Sequence, residues 1–303
     1  MANLWGLAFL ECALILTSVA APAAEMKREA SKTMLSQVKL WGCQFQNLDI
    51  AQAAASPLDL IIIDPDAQDS HGRALDASDV AKLKVKPDGS RRLVLSYISV
   101  GEAESYRRYW KEGWRVEAPD WLGPENTNWP GSFVVRYWQD GWKNHLYGKP
   151  QSTLDHLLTL GFDGMFLDRV DAYNDWTSTR PMAPQEMVEL VDTLAHYARQ
   201  RQPGFLIIGQ NSEELLRNAT YTSAVDGVSK ESLLYGLDAP GRANKAEDVE
   251  WSLTRLKGAK RQGLPIFAIE YLDDPATISA ARTELAKQGF VPFFATRMLD
   301  RLP

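Results

Sequence analysis

Along the chain, short apolar runs alternate with longer segments in which apolar positions recur at helical spacing, and this alternation predicts repeated βα units. The strand-like runs are VKLWGCQF from Val38, LDLIIID from Leu58, RLVLSYISV from Arg92, GMFLD from Gly164, FLIIGQN from Phe205, DGVSKE from Asp226, PIFAIEY from Pro265 and VPFFATR from Val291. Between them lie helical segments such as APQEMVELVDTLAHYARQ from Ala183 and KAEDVEWSLTRLKGAKRQG from Lys245. The second ends on Lys260, Arg261 and Gly263, residues that suit a helix C-terminus. About eight parallel strands, each followed by a helix, close into a (β/α)8 TIM barrel, so the expected fold class is α/β with a single barrel domain. No repeat of solenoid period and no low-complexity tract interrupts the pattern.

Composition agrees with that size of fold. The chain has 303 residues, 45% hydrophobic and 24% charged, which suits one large globular domain. Lys and Arg number 33 against 39 Asp and Glu, a formal net charge of -6. With no basic run, no nucleic-acid partner is expected; an acidic surface tolerates a cationic substrate. The opening MANLWGLAFLECALILTSVAAPAAE has an apolar stretch of signal-peptide length that ends in the small-residue triplet Ala21-Pro22-Ala23. Residues 1–23 therefore read as a signal peptide, although no Lys or Arg precedes the apolar run and Glu11 divides it. The alternative is a buried or membrane-anchoring helix. Residues 24–36 read as a linker or leading helix, and residues 37–303 as the barrel. A secreted or periplasmic protein is expected, with no stable membrane insertion once the leader is cleaved.

Cys12 would leave with the leader, and Cys43 then stands alone, which excludes an intrachain disulfide framework and a cysteine-rich zinc site. His71, His145, His156 and His196 lack the spacing of a zinc motif, and no serine nucleophile elbow, phosphate loop or dinucleotide fingerprint occurs. No metal and no cofactor are expected.

In a barrel of this type the chemistry belongs to the C-terminal ends of the strands. Along GMFLD the side chains alternate, so Phe166 and Asp168 share one face while Met165 and Leu167 take the other, against the helices. Asp168 is thereby aimed at the mouth. Asp64, Glu102, Asn211, Glu231 and Glu270 follow the apolar runs of other strands in the same way, and like charges gathered at one mouth oppose one another's ionisation. Each has a structural alternative. Asp64, in DPDAQD, also suits a helix cap or loop anchor. Glu102 suits an ion pair with Arg107 or Arg108, Glu270 one with Arg297, and Asp171 the orientation of Arg169.

The segments YISVGEAESYRRYW (Tyr97 to Trp110), GFDGMFLDRVDAY (Gly161 to Tyr173) and VDGVSKESLLY (Val225 to Tyr235) resemble the barrels of glycoside hydrolase family 114, the endo-α-1,4-polygalactosaminidase-like proteins. WGCQFQNLD and IIIDPD look like the family's first two strands, with Gln46 and Asp64 in the matching places. The resemblance covers nearly all the chain beyond the leader. It implies that an Asp closing the fourth strand and a Glu closing the sixth, here Asp168 and Glu231, form the acidic pair, with Glu213 or Glu214 as competitors for the second role. It also implies a polysaccharide substrate, a galactosamine-containing polymer among the possibilities.

Glycosidic cleavage requires one acid to protonate the leaving oxygen and a second group to attack or stabilise the oxocarbenium-like transition state. Asp168 suits nucleophile or stabiliser, and Glu231 general acid and then base. Asp64, Tyr97, Glu102, Asp171, Tyr173, Asn211 and Glu270 are the expected substrate-binding residues. Six of the ten tryptophans, Trp110, Trp114, Trp121, Trp129, Trp138 and Trp142, fall after the third strand. Most are expected to fill the core of a long excursion, one or two to line the groove, with Tyr106 a further groove residue. A non-catalytic carbohydrate-binding barrel is the alternative of another class, and a deacetylase-like metal hydrolase a weaker one.

Overall fold

A computed structural model describes residues 8–68 and 72–303, the helix before Pro22 by its backbone alone. Eight parallel strands form one sheet in chain order: β1 Trp41–Gln44, β2 Leu60–Ile63, β3 Leu93–Ser99, β4 Gly164–Asp168, β5 Leu206–Gln210, β6 Gly227–Glu231, β7 Ile266–Tyr271 and β8 Val291–Ala295. Helices lie between the strands, among them Ala183–Arg201 and Ala246–Arg261, within a residue or two of the segments their periodicity predicts. The sheet curls into a nearly closed (β/α)8 barrel. Among the described residues its ladder stops at β1 and β8. Trp41 crosses the remaining seam, its indole Nε1 donating to the Val291 carbonyl at 2.9 Å.

Strand alternation divides the buried side chains into two sets. Cys43, Leu60, Ile62, Leu95, Phe166, Ile208 and Phe267 fill the barrel interior. Their neighbours in sequence, such as Ile61, Ile63, Val94, Met165, Leu167 and Ile207, face the helices. Runs apolar at every position, such as LIII in β2, are what a strand buried on both faces requires.

Of the leader expected over residues 1–23, residues 1–7 lie outside the described residues, as does His71. From Ala8 the backbone forms one helix to Ser36, so the segment 24–36 is helical rather than an extended linker. The C-terminal part of that helix closes the barrel floor: Leu35 is buried with the interior set, and Ser31 and Lys27 lie against Gly204. Among the described residues no helix is long and apolar enough to cross a membrane.

After β3 the chain leaves the barrel for a three-stranded antiparallel sheet, Glu102–Glu104, Leu122–Glu125 and Ser132–Val135, with the last in the middle. Its core is aromatic. Trp114 and Trp121 meet edge to face at 5.0 Å, Trp121 and Trp142 lie 5.2 Å apart, and His145 sits 5.3 Å from Trp121. Trp142 anchors this layer to the barrel by donating from Nε1 to the Val100 carbonyl at 2.9 Å. The excursion re-enters against the turn after β4 at Gly101, where a Cβ would lie 2.2 Å from that of Ala172 and 2.4 Å from the Arg169 carbonyl oxygen, so only glycine permits the approach.

Candidate active site

The interior alternation decides which strand-end side chains reach the mouth. On β4, Phe166 points inward and Asp168 follows it by one period. On β6, Glu231 shares the inward parity with Ser229. On β7 the inward positions are Phe267, Ile269 and Tyr271, so Glu270 is turned toward the helices. The expectation that Glu270 faces the mouth is therefore corrected. It is fully buried and accepts from the backbone N–H groups of Leu234 at 2.8 Å and Tyr235 at 3.2 Å, with no ion pair to Arg297, whose guanidinium lies over the Tyr271 ring instead.

A cavity of about 820 Å3 opens at the mouth, and Asp64, Tyr97, Glu102, Asp168, Asp171, Asn211 and Glu231 all line it. A second cavity, of about 530 Å3, adjoins it and shares Asp171, Asn211, Glu231 and Arg297. Tyr173 lines only this smaller one, and Glu270 neither. Trp129, half exposed, is the excursion tryptophan that reaches the larger cavity, and Tyr106 joins it there. Trp121 and Trp142 are buried in the excursion core.

Asp168 is held by three donors: the Tyr97 hydroxyl at 2.8 Å, the Arg169 backbone N–H at 2.8 Å and the Gln210 amide at 3.4 Å. Burial, and after it the charge of Glu231, pushes its carboxyl up to about 7, against the pull of the Tyr97 hydrogen bond. Glu231 accepts from Asn211 Nδ2 at 2.9 Å and from the Tyr271 hydroxyl at 2.8 Å. Asn211 follows β5 in a left-handed conformation, φ 50°, and that turn brings its side chain to Glu231. Burial raises the hydroxyls of Tyr97 and Tyr271 well above the usual range, with nearby carboxylates adding to it, so both remain donors.

Two arginines, Arg107 buried and Arg169 partly buried, offset part of the charge of the remaining acids. Arg107 donates to Asp64 and to Glu104, each at 2.6 Å, and its guanidinium lies 5.5 Å from the centre of the Tyr97 ring. Burial raises the Asp64 carboxyl, and Arg107 offsets part of that rise. Asp64 also accepts from the Asp66 N–H at 2.8 Å, so it is a loop anchor as well as a cavity wall. Arg169, in the left-handed region at φ 56° immediately after Asp168, pairs with Glu102 at 3.0 Å, Asp171 at 3.3 Å and Asp175 at 2.6 Å. Glu102 thus pairs with Arg169 rather than with Arg107 or Arg108, while Asp171 does meet Arg169. The competitors for the second acid are engaged elsewhere: Glu213 with Lys230 at 3.2 Å and Ser252 at 2.9 Å, Glu214 with Arg255 at 3.1 Å. Among the described residues no group of three or more His, Cys, Asp or Glu side chains is arranged to hold a metal ion.

Sequence reasoning passed over Gln210, Tyr271, Glu104 and the bridging of Arg107. Strand parity carries a signal for the first two, since Gln210 continues Leu206 and Ile208, and Tyr271 continues Phe267 and Ile269. Arg107 and Asp64 are 43 residues apart, and nothing local joins them.

With several carboxylates lining the mouth of a (β/α)8 scaffold, the family follows from sequence. Residues 20–302 match the model of glycoside-hydrolase family GH114. The chain belongs to that family. Among its relatives, an uncharacterized protein of Deinococcus radiodurans is 34% identical over 281 residues, covering 91% of this chain and 86% of that one. The uncharacterized protein MJ1477 of Methanocaldococcus jannaschii is 30% identical over 296 residues, covering 92% and 82%. In structure, the GH114 chain is similar to the glycoside hydrolase domain of PelA from Pseudomonas aeruginosa, with a TM-score of 0.66 and 20% identity over 88% of this chain and 97% of that one. It is also similar to Aspergillus fumigatus Ega3, solved in complex with galactosamine, with a TM-score of 0.61 and 17% identity over 87% and 93%. These two likenesses establish the shared fold.

Proposed function

We propose that the protein is an endo-acting glycosidase that cleaves an amino-sugar-containing polysaccharide, with Asp168 and Glu231 as the reacting carboxyl groups. The observation that carries this reading is that Glu231 borders both cavities while Asp168 borders only the larger. A polymer crossing the mouth has the bond to be broken where the cavities meet. Glu231, on the dividing wall, is then the acid that protonates the bridging oxygen, and Asp168 faces the anomeric carbon of the sugar in the larger cavity as nucleophile or stabiliser.

With its carboxyl raised to about 7, Asp168 is partly protonated near neutrality, whereas a nucleophile or stabiliser has to be ionised. An ammonium group entering beside Asp168 stabilises the carboxylate and draws it toward the ionised form. An amino sugar thus prepares Asp168 for its own cleavage, which a neutral sugar does not. The galactosamine bound to Ega3 is consistent with this chemistry, and the acidic walls Asp64, Glu102 and Asp171 suit a cationic chain.

Export is part of the same proposal. Lys27, Ser31 and Leu35, which meet the barrel, all lie beyond Ala23, so cleavage there leaves the floor packing in place. Sequencing the N-terminus of protein recovered outside the cytoplasm tests this; a chain beginning at Met1 overturns it.

The activity is tested by incubating the purified protein with polymers of α-1,4-galactosamine, N-acetylgalactosamine and glucosamine and reading the products by mass spectrometry. Internal cleavage of an amino-sugar polymer is expected. Turnover of none of them, or of an uncharged polymer alone, overturns the reading.

A further inference from the structure

The smaller cavity has a floor and a wall that the cleaving pair does not use. Trp251, on the helix Ala246–Arg261, lines it and is 42% exposed, although a tryptophan on a helix of a barrel's outer ring ordinarily turns inward or is covered. The ring is fixed from one side. The Arg255 guanidinium lies 3.7 Å from its centre, and Arg255 is in turn tied to Glu214 at 3.1 Å and to the Trp251 carbonyl at 3.0 Å. Arg255 is nearly buried, so the stack is held in place before any ligand arrives. Across the cavity Leu237 is half exposed, and Asp171, Glu213, Glu214 and Glu231 supply negative charge against two cations, Lys230, which Glu213 already engages, and Arg297, whose guanidinium lies over the Tyr271 ring.

We infer that this cavity is the leaving-group arm of the site, with Trp251 as the platform for a hexosamine ring on the far side of the broken bond and Asp171 as the carboxylate on the wall that faces its ammonium. The chemistry fits both halves of the ring. Its C–H face is apolar and slightly positive and packs on an indole face, while the ammonium is attracted to the indole and to the carboxylates around it. Arg255 behind the indole serves as a clamp rather than a contact, because its charge is neutralised by Glu214 and screened by the ring. The order of subsites follows from Glu231, since an acid on the dividing wall gives its proton to the oxygen that departs with the sugar in this arm. The inference rests on the reading of Asp168 and Glu231 as the cleaving pair for its direction, but not for the existence of the sugar site.

The test separates the two. Cleavage of an α-1,4-galactosamine polymer is compared with cleavage of the corresponding trisaccharyl fluoride, whose leaving group needs no sugar site. In Trp251→Ala the ratio of polymer to fluoride kcat/KM is expected to fall about fivefold to tenfold, and Trp251→Phe to restore most of it. The affinity of a galactosamine hexamer for the Asp168→Asn protein, measured by calorimetry, is expected to weaken by a similar factor when Trp251→Ala is added. An unchanged ratio together with an unchanged hexamer affinity overturns the inference while leaving the cleaving pair standing. Loss of hexamer affinity in a protein whose parent cleaves neither substrate supports the sugar site and removes the assigned pair. An equal fall on polymer and fluoride, unrelieved by Trp251→Phe, overturns the inference in favour of a purely structural indole.

Discussion

At the end of β4, Asp168 takes its hydrogen bonds from Tyr97, Arg169 and Gln210 and opens onto the larger cavity. Three strands further round, at the end of β7, Glu270 takes its own from the backbone of Leu234 and Tyr235 and sees no cavity at all. Both carboxyl groups are pushed up to about 7, and burial is the leading cause in each. What separates them is the second cause. For Asp168 it is another carboxylate, which repels; for Glu270 it is a pair of peptide N–H groups, which attract. A raised carboxyl at a barrel mouth is therefore a sign of burial first, and becomes a sign of chemistry when a like charge and an open cavity accompany it.

The largest effect that sharpens this contrast is on turnover. Asp168→Asn and Glu231→Gln are each expected to lower hydrolysis of a confirmed substrate by about a thousandfold or more with the fold retained, since the first removes only charge and nucleophilicity and the second only the transferable proton. Asp171→Asn, at a residue that pairs with Arg169, is expected to lose about tenfold or less. If Asp171→Asn or Glu270→Gln is the more damaging to turnover, the division between the two strand ends is wrong. Glu270→Ala acts on stability instead. Two buried N–H groups lose their acceptor, at about 1–3 kcal/mol each, so thermal denaturation is expected to fall by roughly 5–10 °C, with turnover of the folded protein changed far less.

Removing the Tyr97 hydroxyl withdraws a donor from the charged form of Asp168, so in Tyr97→Phe the acid limb of kcat/KM is expected to move up by about one pH unit from its position near 7, with a rate loss of roughly tenfold at pH 6. A pH–rate profile that does not move separates Tyr97 from the reacting group. The smallest effect is a gain. The folded Asp168 carboxyl, at about 7, lies above its unfolded value of about 3.9, so the folded state holds a proton that the unfolded state has released between about pH 4 and 7. Stability from this group is therefore greatest below that window and is lost as pH rises through 7. Asp168→Asn is expected to melt a few degrees higher than the parent at pH 8, about 2–6 °C, and with little difference at pH 4.5.

The barrel was legible in the chain because strands buried on both faces must be apolar at nearly every position, as LIII in β2 and LIIG in β5 are. Asp168 was legible for the same reason, since parity along a four-residue apolar run leaves one direction for the side chain that follows. Glu270 shows where parity was not carried far enough: counting from Phe267 turns it away from the mouth and turns Tyr271 toward it. The excursion was legible only as a cluster of tryptophans. Its strands are three or four residues long and pair at separations as large as that of Glu102 from Val134, so no local period marks them. The contacts of Arg107 with Asp64 and of Arg169 with Glu102 were hidden for a related reason, because those partners are brought together by the barrel's closure and by the excursion's return.

That closure is incomplete, and the place of the gap matters. Between β1 and β8 the barrel is joined by the Trp41 indole, by the Phe45 N–H donating to the Leu299 carbonyl at 2.8 Å and by Gln46 donating to the Met298 carbonyl at 3.2 Å, in place of a backbone ladder. Phe45, Gln46, Asn47, Met298 and Leu299 are also one wall of the larger cavity. A ring cut once yields to spreading much more readily than a ring left whole. The elastic weak point of this barrel coincides with a lip of the cavity in which we propose that a polymer binds, and amide exchange is expected to be fastest along that lip and slowest on the opposite side, where β3, β4 and β5 are laced together.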